Sequence, residues 1–123
     1  MKIIITRRRY SKYGVDGTLS IGGQRVCDTC EHPANHLVCG TYPVTIIHNK
    51  ALRRKLPTLP GGSVIKTGDG PFKLLDGSII VGDYHLRGVV IHSAFHFNRL
   101  IDRLDKAQNR GEPITLTIQD RFR

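Results

Sequence analysis

The chain has 123 residues, which is enough for one compact domain and too few for two ordinary ones. With 39% hydrophobic and 24% charged residues it has the composition of a soluble globular protein, and no apolar run reaches the length of a membrane helix. The formal net charge of +9 is typical of a surface that binds nucleic acid or an anionic polymer, or that only keeps a protein in solution. Because no known nucleic-acid motif accompanies the basic runs, we favour a solvated surface and keep nucleic-acid binding as the alternative.

The N-terminal third of the chain is predicted to be β-structure. Lys2 to Arg8 is rich in β-branched residues, and its apolar part precedes the basic cluster, the reverse of a secretory signal. We therefore expect a cytoplasmic protein by default, with release or phage association as an alternative. A turn is predicted at Gly14 to Gly17, and the Gly22-Gly23 pair joins strands over Thr18–Ile21 and Gln24–Thr29 into an antiparallel meander.

All three cysteines lie in one short segment that also holds a histidine. Cys27, Cys30, His36 and Cys39 have the spacing C-x2-C-x5-H-x2-C, and zinc prefers thiolate and imidazole ligands. Two features count against zinc: Cys27 and Cys30 would face opposite sides of a strand, and the gap between the two ligand pairs is short. We predict buried strand cysteines, with no metal, no cofactor and no disulfide framework, and keep zinc as an alternative.

The middle of the chain combines strands with glycine-rich connections. The predicted segments, in order, are a strand over Gly40–His48, a helical or irregular basic turn over Asn49–Leu56, a short strand after Val64, a glycine-rich loop, a strand from Ser78, a loop over Gly82–Gly88 and a strand up to His92. Glycine-rich loops beside buried strands are common places for binding and catalysis. We therefore expect the functional site between Val64 and Gly82.

The C-terminal part contains the clearest helix. Ser93 is a good N-cap, and Phe97, Leu100 and Leu104 recur at steps of three and four residues until the helix ends at Asn109. The alternating segment Pro113–Gln119 predicts a closing strand. The expected fold class is mixed α+β and mainly antiparallel β: a compact barrel-like or sandwich-like domain with one amphipathic C-terminal helix before the last strand.

Several short motifs carry a family resemblance. Cys27-Asp28-Thr29, the run from Gly40 to Val44, the block from Gly77 to Gly82 and Phe97-Asn98-Arg99-Leu100 together resemble a family of small proteins from phages and Bacteroidetes-type bacteria. That family is similar to L,D-transpeptidase (YkuD-like) catalytic domains, which are β-rich and crosslink peptidoglycan through a cysteine acyl-enzyme. The resemblance implies a single domain over residues 1–123 and peptidoglycan, or another anionic polymer, as a partner.

The resemblance also implies two catalytic positions, and both are altered. Lys66 stands where the family has a histidine, and Ser78 stands where it has the nucleophilic cysteine. Serine needs a positioned base, and lysine serves as one only when its pKa is lowered. The resemblance therefore predicts a wall-associated protein that has lost its chemistry. If it is active, it would be an acyl transferase or hydrolase on peptidoglycan peptides.

A hairpin predicted around residues 82–88 would bring another base, His92, close to Ser78. If Gly82–Gly88 is a symmetric hairpin loop, Ser78 lies opposite His92 with their Cβ atoms about 5 Å apart. The residues predicted to bind substrate are Gly68, Gly70, Gly77, His85 and Arg87. The alternative function is a non-catalytic phage or mobile-element module that binds a protein or nucleic acid through its basic surface.

Overall fold

A computed structural model describes residues 1–121, which form nine strands and one helix. The elements are β1 (Lys2–Ser11), β2 (Gly14–Ile21), β3 (Gln24–Glu31), β4 (Gly40–Asn49), β5 (Arg54–Thr58), β6 (Ile65–Lys66), β7 (Ile79–Leu86), β8 (Val89–Ile91), α1 (Ser93–Asn109) and β9 (Ile114–Asp120). Within these residues, no helix combines the length and apolar character needed to cross a bilayer.

The strands form one continuous, nearly closed sheet. Their order is β5-β4-β9-β1-β2-β3-β7-β6, β8 pairs with β7, and a single bridge between Thr58 and Val64 brings the two end strands together. β1, β2 and β3 form the predicted antiparallel meander, while β9 runs parallel to β1 and antiparallel to β4. The predicted fold class, a compact barrel-like α+β domain rich in β-structure, is confirmed.

The main core lies between the inner face of the sheet and α1. Alternate residues of β1 and β2 point inward, including Ile3, Ile5 and Leu19, and all three are completely buried. The helix contributes its predicted apolar face, with Phe97, Leu100 and Leu104 buried in the same cluster. Because burial of each such side chain is worth about 1.5–3 kcal/mol, this shared core stabilises the packing of the helix against the sheet.

The start of α1 differs from its prediction. Ser93 is the first helical residue, and the N-cap is His92, in the left-handed conformation with φ 57° and no side-chain cap. The Ser93 hydroxyl instead donates to the Val81 carbonyl and accepts a hydrogen bond from the Gly68 N–H at 3.1 Å. Ser93 therefore ties the glycine-rich loop to β7 and α1 rather than capping the helix.

Two predicted turns or loops are wrong, and a third is shorter than predicted, because strand pairing overrides local sequence signals. Gly14–Gly17 belongs to β2, where a Cβ on Gly17 would lie 2.7 Å from the Thr6 carbonyl oxygen. The end of the basic segment Asn49–Leu56 forms β5, which pairs with β4. The predicted loop over Gly82–Gly88 is mostly strand, because β7 continues to Leu86 before a tight turn.

Candidate ligand cleft

A cleft of about 440 Å³ lies between β5, β6, the outer face of β7 and the glycine loop, which we define as residues 67–75. Ile80 defines the outer face of β7. Its neighbours Ile79 and Val81 point into the main core, whereas Ile80 points the other way. It packs in a second cluster with Cys30, Leu74 and Val90. The residues that line the cleft are Leu52, Arg54, Leu56, Lys66, Thr67, Gly68, Asp69, Gly70, Lys73, Leu74 and Ile80.

The glycine loop is held against the sheet at several points. The Gly68 N–H donates to Ser93 Oγ at 3.1 Å, and the Val90 N–H donates to the Asp69 carbonyl at 3.1 Å. Leu74 is buried in the second cluster. A Cβ on Gly68 would lie 2.6 Å from Ile80 Cδ1, so any other residue there would require the end of the Ile80 side chain to shift. The loop therefore forms a fixed wall of the cleft.

The charge of the cleft is positive. Arg54, Lys66 and Lys73 line it, against a single carboxylate from Asp69. The Arg54 guanidinium carbon lies 4.3 Å from the centre of the Phe97 ring, and Arg54 also donates to Asn98 Oδ1 at 3.1 Å. This stacking orients the guanidinium in advance, and arginine and lysine both bind carboxylates or phosphates. The cleft is therefore suited to an anionic ligand.

Ser78 does not line this cleft. Its side chain is completely buried, and its hydroxyl oxygen accepts the Val64 N–H at 3.1 Å. The Ser78 N–H donates to Asp76 Oδ1 at 3.0 Å, which closes an Asx-type turn at the entrance to β7. Burial alone would raise the pKa of Asp76, but hydrogen bonds from the Ser78 hydroxyl and N–H lower it below its ordinary value. In this arrangement Ser78 stabilises a turn.

The predicted pairing of Ser78 with His92 is wrong. The β7–β8 register pairs Asp83 with Ile91, so His92 lies beside Asp83, with its Nδ1 2.9 Å from Asp83 Oδ2. His96 Nε2 lies 2.8 Å from the other Asp83 oxygen. Within residues 1–121, no hydrogen bond joins Ser78 to His92 or Lys66. The structure therefore does not assemble either nucleophile–base pair.

The other predicted site residues divide between the cleft and distant positions. Gly68 and Gly70 line the cleft with Lys66, and their roles in binding or catalysis stay predictions. Gly77, with φ +83°, lies in the buried turn before Ser78. His85 and Arg87 are exposed at the far end of the β7–β8 hairpin. Sequence reasoning missed Arg54 and Lys73, although the basic run at residues 53–55 was a visible signal.

The cysteines do not converge. Cys27 packs in the main core, Cys30 packs in the second cluster on the opposite face of β3, and Cys39 is exposed. Over the described part of the chain, no group of three or more histidine, cysteine, aspartate or glutamate side chains is arranged to hold a metal ion. The residues of the zinc alternative, including His36, are therefore not brought together.

Thiol labelling provides a test of this arrangement. Burial raises the pKa of Cys27 and that of Cys30 to about 12, so neither supplies thiolate near neutral pH. We expect iodoacetamide at pH 7.5 to modify one cysteine of the native protein, Cys39, and all three after denaturation, as counted by mass spectrometry. The Cys39→Ser variant should stay unlabelled while folded. Rapid double labelling of the native protein would contradict the predicted burial.

Comparison with protein-family models, curated proteins and solved structures finds no match to this chain. The resemblance to L,D-transpeptidase domains and the residue roles that it implies therefore stay predictions.

Proposed function

We propose that this chain is a non-catalytic relative of L,D-transpeptidase domains that binds peptidoglycan stem peptides in its cationic cleft. The observation that carries the proposal is the contrast between Ser78, which is buried and hydrogen-bonded to Val64, and the positively charged cleft, which Ser78 does not line. The described residues that line the cleft include neither cysteine nor serine. Acyl transfer needs an accessible, activated nucleophile, whereas binding needs only the cations and the fixed loop.

Stem peptides are chosen as the ligand class because they are short and carry several carboxylates. The volume of about 440 Å³ falls in the range of about 300–1,000 Å³ that is usual for small-ligand sites. Arg54 presents a stacked, planar guanidinium that can hold a carboxylate through two parallel hydrogen bonds. Lys66 and Lys73 add two point charges nearby. A peptide with a free terminal carboxylate is therefore the preferred ligand.

A binding titration tests the proposal. A synthetic stem tetrapeptide with a free C-terminal carboxylate is titrated into the full chain and followed by chemical-shift changes. We expect saturable binding that becomes about tenfold weaker when the carboxylate is amidated, because one charge-assisted hydrogen bond is worth about 1.5–3 kcal/mol. Lys66→Gln should weaken binding by a similar factor. Lys106→Gln, which changes an exposed helix lysine paired with Asp102, should not.

A chemical assay separates binding from catalysis. We expect no crosslinked, hydrolysed or exchanged products when the protein is incubated with peptidoglycan and muropeptides and the mixture is analysed by mass spectrometry. Ser78→Ala should bind the tetrapeptide as the unchanged protein does. Products that disappear in Ser78→Ala would contradict the proposal and restore the acyl-transfer function. Failure of the tetrapeptide to bind would also refute it.

A second candidate function rests on a different surface. Arg25, Arg99 and Arg103 line a groove of about 300 Å³ with Phe95, whose side chain is 57% exposed. Arginines around an exposed aromatic ring are typical of surfaces that bind single-stranded nucleic acid. A single-stranded oligonucleotide in the same titration decides between the two. Tight binding that falls steeply with added salt and is unaffected by Lys66→Gln would favour this second function.

A further inference from the structure

A second cavity, which we call the Asp16 pocket, lies on the outer face of β1, β2 and β3. Its volume is about 230 Å³, below the usual range for drug-sized ligands, so a ligand there would have few atoms. The residues that line it are Arg8, Arg9, Asp16, Gly17, Thr18, Asp28, Tyr84 and Arg121. None of them lines the cationic cleft. The Asp16 pocket is therefore a separate place in the fold.

A β-bulge places two consecutive arginines at this pocket. In the β1–β2 ladder, Arg7 pairs with Gly17 and Arg9 pairs with Asp16, so Arg8 is the extra residue of the bulge. A bulge redirects side chains that would otherwise alternate between the two faces. Arg8 Nε donates to Thr18 Oγ1 at 3.3 Å, and Arg9 is the cross-strand neighbour of Asp16. Arg9 thus lies close to the Asp16 carboxylate, and Arg8 lines the same pocket beside Thr18.

Asp16 brings an unused acceptor to the pocket. Its side chain is only 6% exposed, and Oδ1 accepts the Gly88 N–H at 3.2 Å. Over residues 1–121, the other oxygen, Oδ2, is buried without a hydrogen-bond partner. The neighbouring Asp28 differs, because its two oxygens accept from Arg25 and from the Tyr84 N–H. Buried polar atoms are nearly always hydrogen-bonded, so Asp16 Oδ2 calls for a donor beyond those that residues 1–121 supply.

We propose that the Asp16 pocket binds a free α-amino acid through both of its charged groups. The ammonium group donates to Asp16 Oδ2, and the carboxylate accepts hydrogen bonds from Arg8 and Arg9. A single anion would leave the buried oxygen unpaired, and a single cation would be repelled by the two guanidiniums. The small volume favours an amino acid with a short side chain such as alanine. This inference is independent of stem-peptide binding in the cationic cleft.

The test is a chemical-shift titration of the full chain with alanine, in both the L and D forms, and separately with acetate and with ethylamine. We expect at least one form of alanine to bind saturably and to shift the amide signals of Asp16, Thr18 and Gly88. Acetate and ethylamine should each bind at least tenfold more weakly, because each supplies only one of the two groups.

Variants identify the residues responsible. Asp16→Asn should weaken alanine binding at least tenfold, and so should Arg9→Gln. Asp102→Asn, an exposed helix change, should leave it unaltered. Asp16→Asn is expected to fold, since Asn Oδ1 can still accept from the Gly88 N–H. In addition, burial raises the pKa of Asp16, which means that folding penalises its negative charge, so the neutral amide should not destabilise the fold. Thermal unfolding of each variant checks this.

Three results would overturn the inference. They are the absence of saturable shifts with either form of alanine, acetate binding as tightly as alanine, and alanine binding that survives Asp16→Asn. Lys66→Gln should leave alanine binding unchanged, because Lys66 lies in the other cleft. Failure of stem-peptide binding would therefore not affect this inference, and failure of alanine binding would not affect the proposed function.

Discussion

Glu31→Gln is expected to lower the free energy of unfolding by about 3–5 kcal/mol, because it leaves the Arg7 guanidinium charged and unpaired in the interior. The two side chains are 2% and 0% exposed. Arg7 Nε donates to Glu31 Oε2 at 3.0 Å and Nη2 donates to Oε1 at 2.8 Å, so the pair is bidentate. Glutamine has nearly the same shape as glutamate, so the loss reports on charge rather than on a cavity.

The Arg7–Glu31 pair also fixes the connection between β3 and β4. Arg7 Nη2 donates to the Leu37 carbonyl at 2.5 Å, and Nη1 lies 3.8 Å from Cys39 Sγ. Burial alone would lower the pKa of Arg7, but the hydrogen bonds and negative charge of Glu31 more than reverse this and hold it above its ordinary value. Arg7 therefore stays charged in the folded protein, and no change in protonation relieves the cost of losing Glu31.

Urea unfolding with two comparison variants isolates the buried charge. Asp102→Asn removes an exposed ion pair with Lys106 and should cost no more than about 0.5 kcal/mol. The double variant Arg7→Met with Glu31→Leu should lie much closer to the unchanged protein than Glu31→Gln does, because no charge is left buried. If Glu31→Gln lowers the free energy of unfolding as little as Asp102→Asn does, Arg7 must reach water in the Glu31→Gln variant.

The fold was predictable where its signals are local. Gly22-Gly23 identified the β2–β3 hairpin, and the recurrence of Phe97 and Leu100 identified α1. The basic run from Arg7 to Arg9 shows the limit. Alternation with Ile3 and Ile5 indicates that Arg7 points inward, but its partner Glu31 lies 24 residues away in the sequence and could not be predicted from it. The bulge that turns Arg8 and Arg9 outward depends on the pairing of β1 with β2, which is also a non-local contact.

The structure brings together only some of the residues that were predicted to form the site. Lys66, Gly68 and Gly70 do share one cleft, because a glycine-rich loop beside a short buried strand is a local feature. Arg54 reaches the same cleft only because β5 pairs with β4, a non-local contact that the sequence did not predict. His92 was misplaced because the β7–β8 turn consists of two residues rather than a longer loop, which moves the whole register.

The two-residue turn between β7 and β8 contains a glycine whose replacement is expected to destabilise the fold strongly. Gly88→Ala is expected to lower the free energy of unfolding by about 2–4 kcal/mol. Gly88 has φ +73°, and a Cβ there would lie 2.1 Å from the Tyr13 carbonyl oxygen, an atom of the backbone that has no rotamer to change. Gly111→Ala is the matched control, since Gly111 has φ +76° but no atom within 4 Å of the added Cβ. Gly111→Ala should lower the free energy of unfolding by only about 1 kcal/mol, because alanine is disfavoured in the left-handed conformation.

The position of Gly88 also links the two proposed sites. Its N–H donates to Asp16 Oδ1 in the Asp16 pocket, and its carbonyl oxygen would lie 3.3 Å from a Cβ on Gly70 in the glycine loop. Displacing this turn must therefore disturb both places, whereas a change at Gly111 should disturb neither. We expect Gly88→Ala to shift amide signals around Asp16 and around Gly70 in the folded state. Two results for Gly88→Ala would contradict this: amide signals that change only near residue 88, and a free energy of unfolding equal to that of Gly111→Ala. Together they would mean that Tyr13 moves aside freely and that the turn does not couple the two sites.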